Sequence, residues 1–381
     1  MKRLAVVSNI LAPYRVALFN RVAAEADVQF RVFLAAEREP DRHWDWFTDI
    51  RFEFVIKPGL SWSGHRGSSR HASVGLLRSV VAWKPDAVLA GGTTLLAVAG
   101  LIAARMARCP FIWWMDATAE SDSMMSQGWL RPLKRHLGRA SAAGVASGTL
   151  AGRYLVELGI PQKRVFISTL GVDQVAFTQM VEAAKRERLG YRDGLGVREV
   201  VLLYVGQLEQ YKGVDLLLDA CGSMQCASRV TVLLVGTGSQ ETRLREQAEQ
   251  SGLDVVFIGF VQPEALPQYY AVADVFCLMS RVEPFGVVVA EAVVAGLPVV
   301  CSRHAGAAAD LVHQGENGFV VEPADTAAVA GCLDRLVSSR EAREQMSAVS
   351  DEIARRFPID ESVAGIVAAL EAATDHGRAA T

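Results

Sequence analysis

The run Ser280-Arg-Val-Glu-Pro-Phe-Gly-Val-Val-Val-Ala-Glu-Ala-Val-Val-Ala-Gly-Leu-Pro-Val-Val300 changes character twice. The apolar, β-rich residues Val275–Leu278 lead into it, a helical stretch begins near Gly286, and Val299–Cys301 reads as a strand again. Strand, loop, helix and strand in that order form the βαβ unit of a parallel sheet. The polar groups of the run collect where such a unit offers chemistry. Free backbone N–H groups at a helix start, with Gly286 allowing close approach, make a cradle for a diphosphate. Glu283, in the loop, is placed to accept hydrogen bonds from sugar hydroxyls. Glu291 lies about one and a half turns into the helix, within an apolar stretch. A carboxylate there needs a partner, which ribose hydroxyls, a buried backbone group or an arginine would each supply.

The same alternation extends in both directions. Leu4–Ser8, Val28–Leu34, Phe52–Ile56, Ala87–Ala90, Phe111–Met115, Gly144–Ala146 and Val165–Ser168 read as strands, with helices between most of them. The pattern restarts at Val200–Val205 and continues through Val230–Val235, Val255–Ile258, Val275–Leu278, Val299–Cys301 and Phe319–Val321. Two mostly parallel sheets covered by helices are implied: an α/β chain of two doubly wound domains. The 381 residues exceed what one hydrophobic core serves. Gln174–Arg198, with its Gly-Tyr-Arg-Asp-Gly turn, reads as a linker plus a surface helix, so the boundary falls near residue 175. Helix is expected from Ser338 onward, interrupted at Phe357-Pro358.

Net charge is −3, unevenly spread. Cations outnumber carboxylates over residues 1–170, and the reverse holds over 171–381. A basic half is suited to a phosphate-bearing substrate or an anionic membrane surface, or it reflects ordinary surface drift between domains. The six cysteines show no CxxC pair and no histidine at zinc-ligand spacing, so they read as buried thiols of a reducing compartment. The N-terminal apolar run is too short for a signal peptide and reads as a first strand. The uncharged stretch between Asp86 and Arg105 contains Gly91, Gly92, Thr93 and Thr94, and reads as a strand, a glycine turn and a buried helix. A cytoplasmic protein is expected, with contact at the inner face of the membrane through its basic half.

The Ser280–Val300 run resembles the two-glutamate signature of the retaining glycosyltransferases of family 4, whose GT-B fold sets two Rossmann-like domains on either side of a central cleft. Val205-Gly-Gln-Leu-Glu-Gln-Tyr-Lys-Gly-Val-Asp-Leu-Leu is similar to the family's strand, loop and helix carrying a basic pair. Smaller matches are Val235-Gly-Thr-Gly, Phe257-Ile-Gly-Phe, Ser302 to Gly306 and Asn317-Gly-Phe. The first half resembles the family more weakly, at Ala12-Pro-Tyr-Arg and Leu170-Gly-Val-Asp. The resemblance implies an acceptor-binding domain over 1–175 and a nucleotide-sugar-binding domain over 176–381, the last helix packing back toward the first. It implies transfer of a hexose, with retention, from a nucleoside-diphosphate sugar, UDP before GDP, to a glycan, lipid-linked or small-molecule acceptor. No cofactor or metal is expected, and no nucleic acid.

Residue by residue, the resemblance gives Lys212 the donor diphosphate, with Gly206 and Gln207 beside it. Phe285, Gly286 and Val287 become backbone donors to sugar and phosphate, Glu283 faces the donor sugar, and Glu291 takes the ribose. Ile258 and Gly259 fall where the base is held. Two positions depart from the pattern. Gln207 stands where the family has arginine, so diphosphate binding leans on Lys212, with Arg281 as a candidate substitute. Asp116 stands near the family's N-domain histidine and either replaces it beside the reacting sugar or caps a helix. Tyr14 and Arg15 are the acceptor-side candidates. The tryptophans of the first half, and the Gly59–His71 loop with Arg66 and Arg70, offer sugar stacking and phosphate binding. Arg131–Arg139 reads as a basic helix suited to anionic lipid or simply to solvent. Two rivals remain: a catalytically weak nucleotide-binding partner protein of the same fold, and a sugar-nucleotide epimerase.

Overall fold

Strand-to-strand pairing in a computed structural model, which describes residues 1–25, 28–39, 44, 49–63, 69–92, 95–125 and 128–379, divides the chain into two units. One comprises Met1–Leu170 with Ile359–Thr381, the other Gly171–Pro358.

The first unit runs β1 (Lys2–Ser8), α1 (Pro13–Ala24), β2 (Val28–Leu34), β3 (Glu53–Ile56), β4 (Leu60–Ser63), β5 (Ser69–Ala72) and α2 (Val74–Ala82). It continues through β6 (Ala87–Gly91), α3 (Leu95–Ala107), β7 (Phe111–Met115), α4 (Ala119–Met125), α5 (Arg131–Ala140), β8 (Ala143–Ala146), α6 (Thr149–Glu157) and β9 (Val165–Ile167). Its main sheet has the order β3-β2-β1-β6-β7-β8-β9, and every described pair in it is parallel. β6 and β7 are buried along their whole length, which is why they read as continuous apolar runs instead of alternating ones. The Gly59–His71 segment is not simply a loop: β4 and β5 pair antiparallel across it. Arg66 and Trp46 lie outside the described residues.

The second unit runs α7 (Gln174–Arg186), α8 (Arg188–Leu195), β10 (Val200–Val205), α9 (Val214–Gly222), β11 (Val230–Val235), α10 (Glu241–Ser251) and β12 (Asp254–Gly259). α11 (Leu266–Val272), β13 (Val275–Leu278), α12 (Val287–Val294), β14 (Val299–Ser302), α13 (Ala308–Leu311), β15 (Gly318–Val321), α14 (Thr326–Ser338) and α15 (Arg340–Arg356) complete it. Its sheet order is β12-β11-β10-β13-β14-β15, again parallel.

The expected turn at Gly190–Gly194 is instead part of helix α8. Tertiary contacts override the two glycines: Arg188 and Arg192 on one face of α8 both bind Asp274, at 2.6 and 3.0 Å, and the carbonyl of Val272. The division at Leu170/Gly171 falls slightly before residue 175, because α7 begins at Gln174 and packs on α11 of the second unit. After α15 the chain breaks at Pro358. The last helix, α16 (Ile359–Ala379), packs in the first unit on β8, β9 and α1. No helix among the described residues is long and apolar enough to cross a membrane. All six cysteines are free thiols, with Cys221, Cys277 and Cys301 buried.

Candidate active site

In open parallel sheets, ligands collect at the carboxyl ends of the strands where the strand order reverses. In the second unit that point lies between β10 and β13, so the loops after these two strands decide the chemistry. The loop after β10 carries Gly206, Gln207 and Lys212, and the loop after β13 carries Glu283 and Phe285.

The two loops are stitched together. The amides of Arg281 and Val282 both donate to the carbonyl of Tyr211, at 2.8 and 3.3 Å. Gly213 makes the approach feasible: its φ is +66°, and a Cβ there would lie 1.9 Å from the carbonyl oxygen of Met279. Lys212 Nζ consequently reaches Glu283 Oε2 at 2.6 Å, with side-chain exposures of 17% and 10%. The ring of Tyr211 sits 5.3 Å from the same ammonium.

Arg281 does not stand in for the missing arginine. Its guanidinium makes a two-pronged pair with Asp215, both contacts at 2.7 Å, and also donates to the carbonyl of Gln210. This clamp fixes the loop that carries Lys212. Gln207 is likewise held: Tyr204 donates to its carbonyl at 2.7 Å, and Tyr211 donates to its side-chain oxygen at 2.8 Å. Buried Ser280 Oγ, between these groups, has no partner among the described residues.

Helix α12 starts where the sequence indicated, with Gly286 as its N-cap at φ +94°. The first N–H groups of a helix have no acceptor within it, and they open beside Glu283. Phe285 is anchored from the other side, its carbonyl accepting from Ala307 N at 2.7 Å. Glu291 finds a partner that the sequence did not suggest. Tyr270 of α11, fully buried, donates its hydroxyl to Glu291 Oε2 at 2.6 Å. Burial pushes the Glu291 carboxyl above its ordinary range, and the tyrosine bond pulls it partly back. No local signal marks Tyr270, because only the tertiary packing of α11, which contacts α7, α8 and β10, brings it to Glu291. At the end of β12, Gly259, which follows Ile258, has φ +82° and its Cβ direction meets nothing within 4 Å, so it borders open space.

The first unit has its own polar cluster where its strand order reverses, between β1 and β6. Arg15, in the first turn of α1, is buried, and its Nη2 reaches Asp116 Oδ2, just beyond β7, at 2.7 Å. The guanidinium also lies 4.7 Å from the ring of buried Trp114 and 5.9 Å from Tyr14. Burial is the largest single influence and opposes this charge, but Asp116 and Tyr14 together outweigh it and hold the guanidinium above its ordinary pKa. Asp116 is therefore not a helix cap. Thr118 and Ser121 close the start of α4 by exchanging side-chain to backbone bonds at 2.9 and 3.0 Å. Arg15 Nε, Trp114 Nε1 and Asp116 Oδ1 have no partner among the described residues.

Two parallel-sheet units with this strand order define the GT-B fold. Residues 192–351 match the family described as Glycosyl transferases group 1. The chain is 34% identical over 251 residues to the D-inositol 3-phosphate glycosyltransferase of Geodermatophilus obscurus, covering 62% of this chain and 54% of that one. It is 31% identical over 261 residues to the phosphatidyl-myo-inositol mannosyltransferase of Mycobacterium leprae, covering 67% and 65%. The matches thus span about half to two thirds of the length of these curated relatives. Among solved structures, HepE of Anabaena in complex with UDP-glucose superposes with a TM-score of 0.76 at 22% identity, covering 97% of this chain and 100% of that one.

Proposed function

We propose that the chain is a glycosyltransferase that moves a hexose, with retention, from a nucleoside-diphosphate sugar to a glycan, lipid-linked or small-molecule acceptor. The observation that carries this reading is the Lys212–Glu283 pair beside the start of α12. A cation and a row of amide donors suit the diphosphate, while the adjacent carboxylate suits sugar hydroxyls. Glu291 takes the ribose with its second oxygen, and the open space at Gly259, beside Ile258, receives the base. Uridine is favoured over guanosine, in keeping with the UDP-glucose named for HepE.

In the first unit, Arg15 fixes Asp116 beside the reacting sugar, and Tyr14 faces the acceptor. Among the described residues we assign no covalent nucleophile. Catalysis rests on positioning and on stabilising charge at the leaving diphosphate, which takes up the acceptor proton. Lys212 and the α12 amides offset that charge without a metal. The protein works in the cytoplasm, and the basic balance of residues 1–170 supports peripheral contact at the inner face of the membrane.

Calorimetric titration with UDP and GDP, followed by transfer assays over a panel of nucleotide sugars in the presence of a chelator, tests this reading. Proton NMR of the product reports whether the anomeric configuration is kept. Absence of binding by any nucleoside diphosphate at millimolar concentration would overturn the donor site. An inverted product would overturn retention.

A further inference from the structure

Helix α3 departs from the sequence reading in a way that carries consequence. Apart from Arg105 it is apolar, which suggested burial, yet one stripe of it stays exposed. Ala97, Gly100, Ala103 and Ala104 turn inward, where a Cβ on Gly100 would come within 2.4 Å of Ala90. On the outer face Leu95, Ile102 and Met106 recur at helical spacing and are 43%, 43% and 54% exposed. An exposed apolar stripe of this kind suits contact with a second apolar phase.

The neighbouring helix identifies that phase. α5 packs beside α3, and its exposed surface carries Arg131, Arg135 and Arg139 in one row, with Leu133 at the other edge of that surface. Arg105 extends the cations onto α3, and neither helix has an aspartate or glutamate. Trp129, just ahead of α5, is 72% exposed. Two copies of this face would set arginine against arginine with no carboxylate to pair. An anionic bilayer instead offers phosphates in one plane and hydrocarbon just beneath it.

We infer that α3 and α5 form one face that docks on an anionic lipid surface, the α3 side chains entering the headgroup boundary and the α5 arginines meeting lipid phosphates. This inference rests on the peripheral membrane contact proposed above and gives it a location; the nucleotide site is independent of it.

The test is sedimentation of the full chain with vesicles of phosphatidylcholine alone and of phosphatidylcholine mixed with phosphatidylglycerol. Wild type should pellet with the mixed vesicles only, and raised salt should release it. Each arginine near an anionic surface changes partitioning roughly fivefold, so Arg135→Ser with Arg139→Ser should weaken it about twenty-five-fold. Ile102→Asp with Met106→Asp should abolish pelleting, and the milder Ile102→Ser should weaken it. All these variants should keep the wild-type melting temperature and UDP affinity. If wild type pellets with neither vesicle, the membrane contact and its location both fall. If it pellets with the mixed vesicles and the stable variants do so equally, only the location falls. Equal pelleting with both vesicle types, or a wild-type dimer in ultracentrifugation that Ile102→Asp disperses, also overturns the inference.

Discussion

Lys212 and Glu283, far apart in sequence and on loops after different strands, form an ion pair of 2.6 Å at the point where the strand order of the second unit reverses. Each charge compensates the other where little water reaches, and in the proposed function a phosphate and a sugar hydroxyl would take over these contacts. Removing one partner strands the other in a largely desolvated position.

Lys212→Ala should therefore do two things. It should cost about 1–3 kcal/mol of stability by leaving Glu283 without its donor, and it should weaken UDP much more than uridine. Adding Glu283→Gln should recover part of the stability but none of the diphosphate affinity. Thermal melts and calorimetry on the double-mutant cycle separate the two effects. Equal losses for UDP and uridine would place the diphosphate elsewhere.

Glu291 supplies a pH signature. Its folded-state pKa is raised, chiefly by burial, so its contribution to stability is full below the unfolded-state value and is lost as pH rises through the higher folded value. Glu291→Gln should accordingly melt above wild type at neutral pH, and the gap should close in acid. The same variant should bind UDP about tenfold or more weakly, having lost a charge-assisted bond. Tyr270→Phe removes the hydrogen bond that lowers this pKa, so its loss of UDP affinity on acidification should begin at higher pH than in wild type. A UDP-binding profile that superposes on wild type would leave Tyr270 with a packing role only.

Asp116→Asn keeps the shape of the first-unit cluster and removes its negative charge. Turnover should fall on the order of a hundredfold, with UDP affinity unchanged, since the proposed nucleotide contacts belong to the other unit. Arg15→Met should also lower turnover and, by leaving Asp116 without its cation, lower the melting temperature. Steady-state kinetics beside melting curves decide the matter, and full activity in Asp116→Asn would remove it from the reacting centre.

Two glycines with nearly the same backbone conformation should respond differently to alanine. Gly213→Ala adds a Cβ 1.9 Å from a carbonyl oxygen, so it should cost about 3 kcal/mol or more and displace Lys212. Gly259→Ala points its Cβ into open space and meets only the left-handed penalty of about 1–2 kcal/mol. Chemical denaturation measures both. Any UDP defect in Gly259→Ala beyond its stability loss then reports on the base-binding space.

The parallel-sheet architecture was legible because its signals are local. Buried strands such as Phe111–Met115 and Val230–Val235 are apolar throughout, glycine and proline punctuate them, and the Glu283 and Glu291 run sits in a strand, loop and helix whose period changes on cue. The α8 helix was not legible, since Gly190 and Gly194 read as a turn until Asp274, distant in sequence, anchors both arginines of that helix.

By itself, then, the sequence determined the two α/β units and pointed to the residues of the proposed diphosphate and sugar site, since secondary structure and motif spacing are properties of neighbouring residues. Tertiary structure alone decided who pairs with whom. Lys212 meets Glu283, Tyr270 meets Glu291, Arg281 turns to Asp215, and Arg15 closes on Asp116 over Trp114. It also decided that α3 keeps an apolar face uncovered. Hydrogen bonds and ion pairs depend on distances held to within a few tenths of an ångström between groups far apart in the chain. Those distances are fixed only when strands, crossovers and close glycine contacts have set the loops against one another.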